Sequence, residues 1–295
     1  MAEADVVISA FAVPPRSSDR AIAMPLDLFT EEPKVVGVDP DYSKGATSDA
    51  GAFAQAAENY RDGSGHILPR LLRSRLTGVT VRRICLVGFS AGVTFVSKVL
   101  ASADAANVDT VLVLDGMHIQ RVPDGSFFSG SYGPWVNFGV RAARGVTDLQ
   151  GVVGPMMLIS HTAIRQGLDR EKLGLDREKL VGNTDESAAA VFDMVKANSP
   201  DALRLGYDPT LLGAGPPPPP VTITVNRPIA PGQSVPITRT WDVMPQPAIR
   251  SRGNFWVLDY GGAGEPDHVF QARHVQGALW RTFLAPRWNA GMDCV

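Results

Sequence analysis

Short apolar runs recur at wide intervals along the chain, and most of them are continuous and not interrupted by polar residues. They occupy residues 6–11, 35–38, 84–87, 110–114, 156–159 and 255–258. Continuous runs of this length are typical of strands buried on both faces of a parallel sheet. Helix-like spacing of apolar residues lies between them, at 51–60, 67–76, 91–102, 136–144, 187–197 and 268–284. The alternation predicts an α/β fold with a doubly wound, mostly parallel sheet of about six strands.

Some segments depart from this alternation. The hexapeptide LDREKL occurs at 168–173 and again at 175–180, and its leucines fall on two helix faces, so we interpret residues 165–182 as a surface helix or a lid. Residues 216–220 are all proline and should be extended. The stretches 221–225 and 235–241 then alternate, which predicts a β-hairpin. We interpret 213–252 as a Pro-rich hairpin insertion before the last strand, within a single domain spanning 1–295.

Composition argues against several classes of partner and site but does not identify a function. The 295 residues are 44% apolar, enough for one large core, and the net charge is −2. Without a basic run, neither nucleic acid nor an anionic membrane is an expected partner. Cys85 and Cys294 form no zinc or disulfide pattern. We found neither a basic, apolar leader nor an apolar run of about 18 residues. No signal peptide, membrane span or cofactor is therefore expected, and a cytoplasmic location is predicted.

A GxSxG pentapeptide, Gly88-Phe89-Ser90-Ala91-Gly92, joins the apolar run 84–87 to a helical pattern. This order of strand, sharp turn and helix is the setting in which GxSxG presents a nucleophilic serine. Glycines suit it because side chains two residues either side of Ser90 would collide with the neighbouring strand and helix. The Ala91 amide would point toward a developing oxyanion. The alternative is an ordinary Gly/Ser turn.

The pentapeptide in this context resembles the α/β-hydrolase superfamily, and the element order extends the resemblance over most of the chain. The strands resemble the third to eighth strands of that fold, as in the minimal cutinase-like and lysin-type hydrolases. The resemblance implies a triad in the chain order serine, acid, histidine. It also implies a second oxyanion amide in the loop after the first strand, which we place at Ala12.

Two of the five histidines follow the last predicted strand, and they lie on different helix faces. Stepping at 100° per residue places His268 within about 20° of the centre of the apolar stripe and His274 about 140° away. We therefore predict His268 as the general base, with helix-start capping as its alternative role. His274 is predicted to lie at the surface.

Candidates for the acid are less distinct. Asp115 ends the run 110–114, at the carboxyl edge where ligands gather in open α/β sheets. The resembled family more often takes its acid from the loop after the next strand, which here begins Ser160-His161-Thr162 and contains no carboxylate before Asp169. We predict Asp115, with Asp169 and then Asp259 as alternatives.

The leading hypothesis is a serine esterase or lipase-like hydrolase acting on a small-molecule, lipid or polymer ester. Phe89, His118 and His161 are possible pocket residues. One alternative is a metal-dependent hydrolase in which Asp115, His118 and His161, with His268, bind zinc. Another is a catalytically silent protein of hydrolase fold that binds a partner or has a structural role.

Overall fold

The computed structural model describes residues 2–11, 34–40, 50–122, 124, 126–145, 154–163, 183–202, 220–230 and 233–289. Its strands are β1 (Ala2–Phe11), β2 (Lys34–Val38), β3 (Val79–Phe89), β4 (Thr110–Leu114), β5 (Met156–His161), β6 (Val221–Ala230), β7 (Gln233–Trp241), β8 (Ala248–Arg252) and β9 (Phe255–Asp259). Each of the predicted apolar runs lies within one of these strands. The run pattern therefore located the strands that form the interior of the fold.

Helices connect the strands. They are α1 (Ala50–Tyr60), α2 (Leu68–Arg75), α3 (Val93–Leu100), α4 (Ser129–Arg144) and α5 (Thr184–Asn198), with 3-10 turns at Ser90–Gly92 and Ala103–Asn107. A C-terminal helix, residues 265–289, combines α-helical segments Glu265–Phe270, Gln276–Leu279 and Ala285–Asn289 with π-helical turns Gln271–Val275 and Trp280–Leu284. Among the described residues, no helix is both long enough and apolar enough to cross a membrane.

A seven-stranded sheet in the order β2-β1-β3-β4-β5-β9-β8 forms the centre of the molecule. All neighbouring strands pair in parallel except β8, which pairs antiparallel with β9. The α/β prediction of a mostly parallel sheet is confirmed, but the prediction of about six strands missed β8. Because β8 (AIRSR) is an edge strand with one partner, it does not require the continuous apolar run that marked the others.

The strand order reverses between β1 and β3. The chain passes from β1 to β2 on one side and then returns to form β3 on the other side of β1. Such a reversal opens a crevice at the carboxyl ends of the strands, where ligands bind in open α/β sheets. The end of β3 lies at this position.

Successive side chains of each strand enter different cores. Leu86 belongs to a cluster with Phe53, Phe95 and Phe138 from the connecting helices, whereas Val87 belongs to a cluster with residues of the C-terminal helix. The two faces of the sheet are therefore both covered by helices. This burial explains why the central strands read as unbroken apolar runs.

Strands β6 and β7 form a separate antiparallel hairpin, which falls in the predicted insertion 213–252. One face packs on the second core through Ile223 and through Trp241, whose ring centroid lies 4.4 Å from that of Phe270. The last residues of the predicted insertion form β8 and belong to the main sheet. Residues 213–219 and the predicted lid or surface helix at 165–182 lie outside the described residues.

Candidate active site

The strand pairing places candidate residues in one row at the carboxyl edge of the sheet. Phe89 pairs with Leu114, Leu114 with Ser160, and Ser160 with Leu258. The residues that follow this row are Ser90, Asp115, His161 and Asp259. Neighbouring strands lie about 4.8 Å apart, so residues on adjacent strands of the row come close together.

Ser90 and Asp115 have unusual backbone conformations. Their φ angles are 53° and 43°, and they are the only non-glycine residues of the described part of the chain with positive φ. Such conformations are sparsely populated by residues with a side chain and persist where the surrounding structure imposes them, often at functional sites. Both strained residues stand at the ends of adjacent strands.

The glycines of the pentapeptide are explained by close packing. A Cβ atom on Gly92 would overlap the carbonyl oxygen of Ala10 in β1, and one on Gly88 would lie 2.9 Å from the Val93 Cα atom in α3. These are the collisions with neighbouring strand and helix that the sequence predicted. The turn therefore brings β1, β3 and α3 together around Ser90.

Gly116 is a site residue that the sequence reasoning missed. A Cβ atom there would overlap the Ser90 carbonyl oxygen and lie 2.7 Å from the Ser90 nitrogen. The turn after Asp115 therefore packs directly on the backbone of the Ser90 turn. The only sequence signal for this contact is the Asp-Gly pair at 115–116, which indicates a turn but not the backbone that the glycine contacts.

Asp115 and His268 form a hydrogen-bonded pair. His268 Nδ1 lies 2.9 Å from Asp115 Oδ2. The Asp115 side chain is fully buried, whereas that of His268 is 18% exposed, which leaves part of the ring open to solvent. Phe89 stacks on His268 with 4.6 Å between ring centroids. Since Phe89 immediately precedes Ser90, the pair lies beside the serine turn.

The surroundings of Asp115 favour its ionised form. Burial acts to raise the pKa of Asp115, but the hydrogen bond and electrostatic attraction between Asp115 and His268, with two hydrogen bonds from Thr162, together hold that pKa below its usual value. A buried carboxylate facing Nδ1 would favour the imidazole tautomer that carries its proton there. The other ring nitrogen, Nε2, is then the proton acceptor.

The remaining acid candidates lie elsewhere. Asp259 is 46% exposed, and its Oδ1 atom lies 3.9 Å from His161 Nδ1. Of the described acid candidates, Asp115 is therefore the one hydrogen-bonded to His268. Asp169 lies outside the described residues.

The predicted pocket and oxyanion residues differ in how deeply they are buried. His161 is 2% exposed, and its Nδ1 atom lies 3.2 Å from the Thr162 carbonyl oxygen. His118 and Ala91 are half-buried, the latter within the 3-10 turn that begins at Ser90. Ala12 lies outside the described residues.

The metal-dependent alternative requires several possible ligands to lie close together. Over the described ranges, no three His, Cys, Asp or Glu side chains are grouped closely enough to hold a metal ion. The side chains of Asp115, His118 and His161 therefore do not form a metal site in this structure.

The Ser90 hydroxyl and His268 are not hydrogen-bonded to each other in the described part of the chain. Such bonds are often long in enzymes without substrate and tighten when it binds.

Thr162 also escaped the sequence reasoning. It contributes two hydrogen bonds to Asp115, one from its amide and one from its hydroxyl. A single threonine after a strand carries no signal for this role, because the contact depends on the register of β4 and β5.

The chain was also compared with known proteins. No protein-family model, no curated protein and no solved structure matches it.

Proposed function

We propose that this chain is a serine hydrolase that cleaves carboxylic esters through an acyl-enzyme on Ser90. The observation that carries the proposal is the position of Ser90, on a strained turn packed against the turn that follows Asp115, whose buried carboxylate is hydrogen-bonded to His268. A serine hydroxyl is a weak nucleophile until a base accepts its proton. A histidine oriented by a carboxylate is the side chain best suited to do so.

In the first half-reaction, Ser90 Oγ attacks the ester carbonyl while His268 Nε2 accepts the hydroxyl proton. Asp115 holds the Nδ1 proton and stabilises the imidazolium that forms. The carbonyl oxygen becomes an oxyanion that would be bound by the Ala91 amide, at the N-terminal end of the helical segment leading into α3, and by an amide near Ala12. The alcohol then leaves with the proton from His268.

In the second half-reaction, water attacks the acyl-enzyme. His268 takes a proton from the water, the new tetrahedral centre collapses, and Ser90 Oγ regains the proton as the carboxylic acid departs. The reaction requires only side chains, backbone amides and water. A small-molecule, lipid or polymer ester is the substrate class that we propose, because the resemblance to α/β-hydrolases with a GxSxG elbow favours esters.

The proposal is tested by labelling the protein with a fluorophosphonate and locating the modified residue by mass spectrometry. We expect stoichiometric labelling of Ser90 in the wild type, none in Ser90→Ala, and strongly slowed labelling in His268→Ala. Matched controls are Ser97→Ala, in the helix that follows the turn, and His274→Ala, in the C-terminal helix. Both should label at nearly the wild-type rate.

Hydrolysis of p-nitrophenyl esters of increasing acyl length should then give a burst of p-nitrophenol equal to the concentration of labelled sites. Labelling that persists in Ser90→Ala would overturn the nucleophile assignment. A wild-type protein that neither labels nor turns over any ester would instead support the catalytically silent alternative.

A further inference from the structure

Thr162 follows β5 and is fully buried against the carboxylate of Asp115. Its amide donates to Asp115 Oδ1 over 2.8 Å, and its hydroxyl donates to Oδ2 over 2.6 Å. Thr162 lies in the loop after β5, and the α/β-hydrolase superfamily, which the chain resembles, more often carries its acid in that loop. We propose that Thr162 is a positioning residue, which orients an acid supplied by the neighbouring strand toward His268. The inference rests on the proposed function.

The two hydrogen bonds fix the orientation of the carboxylate. Asp115 Oδ2 accepts from both the Thr162 hydroxyl and His268 Nδ1, whereas Oδ1 accepts from the Thr162 amide. A fully buried carboxylate has lost its water shell and depends on such donors. Turning the carboxylate plane would break at least one of them. The oxygen that holds His268 therefore has one defined position.

Thr162 is itself anchored on several sides. Its carbonyl oxygen accepts a hydrogen bond of 2.6 Å from the hydroxyl of Thr184, at the start of α5. The next amide, that of Ala163, donates to the Gly262 carbonyl oxygen over 2.7 Å. Gly262 lies in the loop that leads into the C-terminal helix. The segment that holds Asp115 is therefore tied to the loop that precedes His268.

These contacts link the position of Asp115 to that of His268. Proton transfer from Ser90 requires the imidazole to lie within hydrogen-bond reach, and small displacements of catalytic groups have large effects on rate. Removing the Thr162 hydroxyl keeps the hydrogen bond from the Thr162 amide to Asp115 Oδ1. It removes one of the two hydrogen bonds that Asp115 Oδ2 accepts, and only that from His268 remains. The chemical step should slow, while binding of the ester should change little.

The experiment compares Thr162→Val, which keeps the branched shape without the hydroxyl, with Thr162→Ser, which keeps the hydroxyl. For p-nitrophenyl butyrate, we expect kcat to fall about 10- to 100-fold in Thr162→Val with KM nearly unchanged, and Thr162→Ser to retain most of the wild-type kcat. Ser199→Ala is the matched control, since it removes a buried hydroxyl, just after α5, that donates to the Val195 carbonyl oxygen and contacts neither Thr162 nor Asp115. Its kcat should change by less than about threefold.

A measurement that does not depend on turnover accompanies the kinetics. The proton on His268 Nδ1 should give a low-field ¹H NMR resonance, assigned by its absence in His268→Gln. We expect this resonance in the wild type and Thr162→Ser, and its shift or loss in Thr162→Val. Should Thr162→Val fail to fold, Thr162→Cys replaces it, because a thiol is a weak hydrogen-bond donor. The kcat of Thr162→Cys should be lower than that of Thr162→Ser.

Wild-type kcat and an unchanged resonance in Thr162→Val would overturn the positioning role, as would equal losses in Thr162→Val and Thr162→Ser. These outcomes differ from failure of the proposed function, in which the wild type itself shows no fluorophosphonate adduct on Ser90.

Discussion

His268 Nδ1 lies 2.9 Å from Asp115 Oδ2, although 153 positions separate the two residues in the chain. Asp115 directly follows a central strand, and His268 lies in the first turn of the C-terminal helix, after the last parallel strand. Their contact lies beside the turn that carries Ser90. The proposed chemistry depends on this one pair, so the first prediction concerns its acid.

Replacing Asp115 with asparagine should nearly abolish esterase activity. The amide keeps the shape of the side chain but removes the negative charge and no longer selects the imidazole tautomer. We expect kcat to fall about 10⁴-fold, the effect of the corresponding change in serine hydrolases. Asp259→Asn, at the end of β9, is the control and should stay within about twofold of the wild type. A greater loss in Asp259→Asn than in Asp115→Asn would assign the acid to Asp259.

Stability should fall in acid because of buried carboxylates. Asp5 is buried, and while burial acts to raise its pKa, hydrogen bonds and charges from Arg82 and Arg83 hold that pKa below its usual value. The pKa of Asp115 is also lowered. Both groups therefore bind protons more weakly in the folded than in the unfolded chain. Their stabilisation is complete above the unfolded pKa of about 3.9 and is lost as pH falls through the folded values.

Urea unfolding between pH 7 and pH 3 measures this effect. The free energy of unfolding should be nearly constant above about pH 5 and decline below about pH 4. Asp5→Asn should lower it by about 3–5 kcal/mol at pH 7, since Arg83 would be left buried beside a neutral partner, and should flatten the acid decline. An acid decline of unchanged steepness in this variant would contradict the assignment.

Adding one methyl group at Gly92 should disrupt the serine turn. The new Cβ atom would overlap the Ala10 carbonyl oxygen, so either β1 or the turn must move. We expect a loss of about 1–3 kcal/mol in the free energy of unfolding and loss of Ser90 labelling. Gly63→Ala is the matched control, because a Cβ atom there meets nothing within 4 Å. Wild-type labelling in Gly92→Ala would refute the tight packing of this turn.

Arg239 should anchor the hairpin to the start of the C-terminal helix. It forms an ion pair with Asp267, the residue before His268, and its guanidinium carbon lies 5.0 Å from the Trp241 ring centroid. Arg239 is 46% exposed, so Arg239→Ala should lower the free energy of unfolding by only about 1 kcal/mol. Thermal unfolding beside Thr240→Ala, an exposed neighbour on the same strand, provides the control. Equal losses in both variants would show that the ion pair contributes nothing.

The amino-acid pattern by itself determined the interior of the fold. Strands buried on both faces are apolar at most positions, so the parallel strands were visible as nearly continuous runs. The hairpin was visible because its residues alternate, and the turn at Ser90 because GxSxG is a short pattern, although the collision that explains Gly92 is with Ala10 of β1. The sequence also placed His268 on an inward face, although the π-helical turns Gln271–Val275 and Trp280–Leu284 mean that a uniform step of 100° does not describe this helix. All of these patterns were read from residues close together in the chain.

Only the tertiary structure decided the properties that depend on distant residues. Strand register places Asp115, and not Asp259, against His268, and it brings Thr162 onto Asp115 and Gly116 onto the Ser90 backbone. The edge strand β8 was not predicted because it is only partly buried and does not need an apolar run. Hydrogen bonds and close approaches across strands are set by pairing and by strand order, and sequence spacing encodes neither of them directly.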